Sequence, residues 1–108
     1  MDTALRVEAQ QGVVLDRYQP QPGQKGDWVD TSSGTVYDGC SPGPTPYFDK
    51  SWKKYMRSLD EHLHHPTVDR VVVDVTNLNL TPTQLQKLEA HLASLPGPEQ
   101  AKIVRIGF

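Results

Sequence analysis

Apolar residues recur along the chain with more than one period, and each period predicts an element. Phe48, Trp52, Tyr55, Met56, Leu59 and Leu63 are spaced by 4, 3, 1, 3 and 4 residues, which lines one face of an α-helix. The opposite side carries Lys50, Lys53, Lys54, Arg57, Glu61 and His64, and Pro66 marks the end of this helix. Asp69 to Val75 reads DRVVVDV, a nearly continuous β-branched run typical of a strand covered on both faces. Leu85, Leu88, Leu92 and Leu95 form the stripe of a second helix. Thr81 caps it, Pro82 takes the first helical position, Gln84 completes a capping box, and Pro96-Gly97-Pro98 stops it. Lys102 to Ile106 is a final strand. Strand, helix and strand of these lengths predict a βαβ unit, with residues 70–75 and 102–106 adjacent and parallel through a right-handed crossover.

Upstream, two short runs of β-formers, Trp28-Val29-Asp30 and Thr35-Val36-Tyr37-Asp38, flank a Thr31-Ser32-Ser33-Gly34 turn and predict a hairpin. Residues 19–27 have linker chemistry, and Ser41-Pro42-Gly43-Pro44-Thr45-Pro46 is a second stiff, extended connector. Residues 1–25 are expected to be a weakly structured segment or linker, with a short strand at 12–15, ahead of a single domain over 26–108. The expected fold is α+β: an N-terminal hairpin and helix followed by the βαβ unit, giving a small twisted mixed sheet with helices packed on it. Its core is expected from Val71, Val73, Val75, Ile103, Val104, Ile106 and the two helix faces.

Composition narrows the function classes. With 108 residues there is room for one modest core, and nine prolines with eight glycines imply long connections. A formal charge of −2 excludes a globally basic nucleic-acid binder, so an anionic ligand requires a local basic patch. The single cysteine, Cys40, excludes a disulfide framework and a cysteine-rich zinc site. No apolar run has the length of a membrane helix, and the N-terminus lacks a signal-peptide pattern.

Three groups of residues carry candidate chemistry. His62, His64 and His65 sit where a helix C-terminus stabilises imidazolium, which explains them structurally, yet histidine is also the side chain best suited to proton transfer near neutral pH. Their spacing is poor for joint zinc ligation, and His91 reads as a surface residue. Lys50, Lys53, Lys54 and Arg57 make either a solvated helix face or a phosphate-holding ridge, with Trp28, Trp52, Tyr47 and Tyr55 as stacking partners. Asp30 and Asp38 either serve turns or act as a base or as the orienter of a histidine. Cys40 with downstream histidines is a weak thiol-catalysis signal, and no phosphate-binding loop, nucleophile elbow or HExxH motif is present.

GDWVDTSSGTVYDGC, the Trp-bearing helix ending in DEHLHH, VDRVVVDVTNL followed by LTPTQLQKLEAHL, and the terminal KIVRIGF together resemble the C-terminal toxin modules of bacterial polymorphic toxins. These are the tips of contact-dependent inhibition and Rhs-type effectors. Many belong to the barnase–EndoU–colicin–RelE group of metal-independent ribonucleases, built as a helix followed by a small sheet. The resemblance spans about residues 26–108. It implies a module delivered as part of a larger effector into the target-cell cytoplasm, a tRNA-directed ribonuclease activity without metal or cofactor, and a cognate immunity protein as partner. On that reading the catalytic candidates are Asp30, Asp38, His62, His65 and Arg70. Trp28, Tyr37, Lys50, Lys53, Lys54, Arg57 and Arg105 would bind substrate. The alternative is a non-catalytic interaction or immunity-type module, in which acid, base and cation do not converge. LDRYQPQPG also resembles the opening of NAD-hydrolysing toxins, a minor alternative.

Overall fold

The computed structural model describes residues 2–108. Helix α1 (Thr3–Gln11) starts where the Asp2 side chain accepts the Leu5 N–H and stops at Gly12, whose left-handed φ of 66° suits glycine. Strands β1 (Leu15–Arg17), β2 (Trp28–Asp30) and β3 (Val36–Gly39) follow, then helix α2 (Thr45–His64) and strand β4 (Arg70–Asp74). Helices α3 (Pro82–Ala93) and α4 (Gly97–Lys102) lead into strand β5 (Ile103–Ile106). The sheet order is β1-β2-β3-β4-β5; the first two pairings are antiparallel and the last two parallel.

The expected hairpin is β2–β3, paired Trp28 to Tyr37 and Val29 to Val36. The expected βαβ unit is β4–α3–β5, in register from Val71 opposite Ile103 to Asp74 opposite Ile106. The Thr81–Gln84 capping box is formed in both directions. A second parallel crossover, β3–α2–β4, precedes it, so α2 lies between two parallel strands rather than ahead of the sheet.

Both crossover helices cover one face, because the side chains of β4 alternate. Val71, Val73 and Val75 pack with Phe48, Leu59 and Leu88 beneath α2 and α3. Val72 turns the other way and packs with Val104, Ile106, Tyr37 and Val7 of α1. The three central valines are fully buried, each stabilising the fold by about 1.5–3 kcal/mol.

Three expectations are corrected. Residues 1–25 are not a weakly structured linker, for they contain α1 and β1. Val7 is fully buried, and Asp74 accepts the Thr3 hydroxyl and the Arg6 Nε–H, both at 2.8 Å, which ties α1 to the sheet. The early strand lies at Leu15–Arg17, C-terminal to the position expected for it. Helix α2 starts at Thr45, inside the supposed extended connector, because proline is compatible with a first helical turn where its missing N–H has no partner to lose.

Candidate functional site

Strand alternation points Asp38, opposite Val71, toward the face covered by α2. His62 leaves the last turn of α2 toward the same place. Its Nδ1 lies 2.7 Å from the Ser58 carbonyl, which can only accept, so Nδ1 carries a proton. That leaves Nε2 facing Asp38 Oδ2 at 3.2 Å. The approach is within ion-pair range but is not aligned as a hydrogen bond. Asp38 Oδ2 is therefore, among the described residues, the one buried side-chain polar atom without a hydrogen-bond partner.

Two residues missed in the sequence complete the group. Asp27 lies beside Asp38, and its Oδ2 accepts the Gly39 N–H at 2.8 Å. Burial above all, then the adjacent Asp27 carboxyl, pushes the Asp38 pKa up to about 7, while the Lys25 ammonium opposes the rise. Both residues lie in the segment read as linker. Its backbone is in fact held on both sides: Asp27 N–H donates to Tyr37 O, Tyr18 N–H donates to Asp27 O, and Lys25 N–H donates to the Thr67 hydroxyl. The signal available was Lys25-Gly26-Asp27 itself, a cation and a carboxylate flanking a glycine within an otherwise uncharged stretch.

The arrangement can share one proton between Asp38 and Nε2, with Lys25 close enough to favour negative charge nearby. A cavity of about 340 Å³ opens beside it. Lys54, Ser58 and His62 of α2 line one side, and Gly39, Cys40 and Ser41 line the other. Burial pushes the Cys40 thiol up, with Asp38 adding to the rise; its Sγ lies 3.8 Å from Ser58 Oγ, and it is structural rather than an activated nucleophile. The buried Tyr55 hydroxyl donates to Cys40 O at 3.0 Å and fixes the start of the β3–α2 connection.

The other sequence candidates lie elsewhere. Asp30 accepts the Ser32 N–H and the Ser32 and Ser33 hydroxyls, and these bonds hold its pKa below the ordinary carboxylate value. Its carboxylate serves the β2–β3 turn. His65 Nδ1 lies 2.9 Å from the Thr67 hydroxyl, which also contacts Lys25 O, so it braces the wall behind Lys25. Arg70 Nη1 donates to Ala101 O and pins α4 to β4. Tyr37 and Trp28 pack on the opposite face of the sheet. Arg105 stacks its guanidinium over Phe108 on the outer strand. Lys50, Lys53 and Arg57 are exposed on α2, whereas Lys54 reaches the cavity. Of the catalytic candidates, the structure brings Asp38 and His62 together and disperses the rest.

A second cluster, Asp60, His64 and Glu99, has donor atoms close enough to hold a metal ion, but two of the three residues are exposed. His64 there bridges the carboxylates, with Nε2 2.5 Å from Glu99 and Nδ1 3.3 Å from Asp60. In the main site, Asp27 and Asp38 are the residues that could hold a cation.

A mixed, open sheet with helices on both faces, and the Asp38–His62 pair beside a lateral cavity, define a small α+β domain. Neither a protein-family model nor a curated protein matches the sequence. Among solved structures, the chain is similar to the CdiA-CT toxin from Burkholderia pseudomallei E479 in complex with its cognate CdiI immunity protein. The identity is 27%, the TM-score 0.76, and the match covers 95% of this chain and 93% of that one. This likeness bears out the resemblance to C-terminal toxin domains of contact-dependent inhibition read from the sequence. No helix among the described residues is long and apolar enough to cross a membrane.

Proposed function

We propose that this domain is a ribonuclease toxin, delivered as the tip of a larger effector, acting on tRNA in the target-cell cytoplasm and neutralised by a cognate immunity protein. The observation that carries the reading is the approach of the half-buried His62 to the buried Asp38, with Lys25 near enough for its charge to act on that carboxylate. Cleavage at a 2′-hydroxyl needs a base to remove its proton, an acid for the leaving oxygen, and a cation for the charge on phosphorus. Asp38 and His62 share one proton and so fill the acid and base roles in turn. Lys25 takes the phosphate-binding role expected of Arg70 or Arg105, both of which are engaged elsewhere. The likeness to a toxin solved with its immunity protein supports the partner.

One observation favours a cation-assisted variant of the same reaction. Asp38 Oδ2 is buried without a hydrogen bond and lies beside a second carboxylate, an arrangement that fits a divalent ion as well as a shared proton. Purified domain incubated with total tRNA separates the two readings. Cleavage that persists in EDTA supports proton transfer alone, and cleavage restored by added Mg²⁺ or Mn²⁺ supports the cation. Intact tRNA under both conditions, in a protein that arrests growth on expression, rules the ribonuclease out. Loss of cellular NAD in those arrested cells would instead support the NAD-consuming alternative.

A further inference from the structure

We infer that one face of α2 is a reading track for an unpaired RNA strand, with Tyr47 as the base-stacking platform and Lys54 as the phosphate contact. The inference rests on the ribonuclease reading above and specifies the form of its substrate. Tyr47, Ser51, Lys54, Ser58 and His62 are separated by 4, 3, 4 and 4 residues, so they form one stripe down the helix. The stripe is about 22 Å long at the ordinary helical rise. Its C-terminal end is the Asp38–His62 pair. Its middle, Ser51, Lys54 and Ser58, lines the cavity with hydroxyls and one ammonium. Its N-terminal end is Tyr47, 60% exposed and the most exposed aromatic among the large apolar side chains that face solvent.

The exposure has no structural explanation in Tyr47 itself. Its backbone carbonyl accepts the Ser51 hydroxyl at 2.7 Å, a bond that survives any change of side chain. The neighbouring aromatics of α2, Phe48, Trp52 and Tyr55, are buried, so the helix face that packs is separate from the one that carries Tyr47. Charge complementarity selects the occupant. Lys50, Lys53, Lys54 and Arg57 are exposed on the part of α2 that follows Tyr47, where the one carboxylate, Asp49, is drawn toward α3 by Gln84 at 3.3 Å; the exposed Asp60 and Glu61 come only in the last turns. A cationic helix side with an exposed ring at one end and an acid–base pair at the other fits a phosphate backbone whose bases are free to stack. A fully paired duplex keeps its bases inside the stack and offers Tyr47 nothing. The ring therefore selects loops and single strands.

The test uses the His62→Ala variant, which binds without cleaving, and a short unstructured RNA carrying 2-aminopurine. Binding is expected to quench the probe, and Tyr47→Ala in that background should weaken binding by about 5- to 150-fold, the range for loss of one base–aromatic stack. Tyr47→Trp retains a ring face and should restore quenching. Lys54→Ala should lower the salt slope by about one ion. The same RNA annealed to its complement should bind more weakly and show no dependence on residue 47. Equal binding of single strand and duplex, or no effect of Tyr47→Ala in a protein of unchanged Tm, overturns the track while leaving a cleaving enzyme a ribonuclease. An effect of Tyr47→Ala confined to immunity-protein affinity overturns it too, and assigns the ring to that interface. A wild-type domain that cleaves no RNA overturns both readings.

Discussion

Asp38 and Asp74 are both buried carboxylates of the sheet, and their surroundings move them in opposite directions. Burial opposes ionisation of Asp74, but hydrogen bonds from Thr76, Thr3 and Arg6 outweigh it and hold its pKa below the ordinary value. Its stabilising contribution is present above the unfolded pKa near 3.8 and is lost as pH falls through the lower folded value. Asp38 behaves inversely. With a folded pKa near 7 against 3.8 unfolded, the folded state holds the extra proton between those values, so stability from this group declines as pH rises from about 4 through 7. Asp38→Asn, whose amide can donate to Asp27 as the protonated acid does, should therefore raise Tm at pH 8 and change it little at pH 4. Thermal melts at the two pH values check this, a gain of about 1 kcal/mol corresponding to roughly 4–8 °C. RNA cleavage by Asp38→Asn and by His62→Ala should fall by about 100-fold or more, the usual size of a lost proton-transfer group. Asp30→Ala should lower Tm and leave cleavage intact, because its carboxylate bonds only within the turn.

At the scale of elements, the segment between β1 and β2 decides whether the site assembles. Gly26 has φ of 151°, and a Cβ there would meet Val36 Cγ1 at 2.5 Å and the Tyr18 ring at 2.9 Å. Gly26→Ala should destabilise by about 1–3 kcal/mol through overpacking. It should also reduce cleavage more than that loss of stability explains, since Lys25 and Asp27 move with the backbone. Denaturant melts paired with rates measured on the folded fraction check this. The control is Thr81→Ala, which removes the α3 cap at a cost of about 1 kcal/mol and should leave the rate per folded molecule unchanged.

At the scale of the whole molecule, α1 and the C-terminal end of β4 are held together by Asp74. Asp74→Ala removes the acceptor shared by Thr3, Arg6 and Thr76 and should cost about 1–3 kcal/mol. Hydrogen exchange should show α1 amides opening faster while the amides of β4 remain protected.

Elements whose pattern depends on local chemistry could be read directly from the chain. The apolar stripes of α2 and α3, the Thr81 capping box and the β-branched run at Val71–Val73 follow from helix period, orphan backbone groups and two-sided burial, so their structure matches expectation. Pairing of β4 with β5 followed as well, since a crossover of that length has one favoured hand and neighbour. Asp38 and His62 were legible as candidates by residue type, alongside Asp30, His65 and Arg70, which the sequence could not set apart from them. Tertiary structure made that distinction. Turning Asp38 toward α2 depends on the register of β3 against β4, and bringing Lys25 and Asp27 beside it depends on bonds to Thr67 and Gly39 far along the chain. The N-terminal segment shows the same division, because α1 gains its place from Val7 burial and the bond to Asp74, neither visible in its own weakly patterned residues. Periodicity and capping are properties of neighbouring residues, so the sequence alone settles the elements that carry them, the bodies of α2 and α3 and the strand β4. The perturbed proton at Asp38 comes from desolvation beneath α2 and from Asp27 and Lys25 on the segment before β2, which only the folded chain brings to one point.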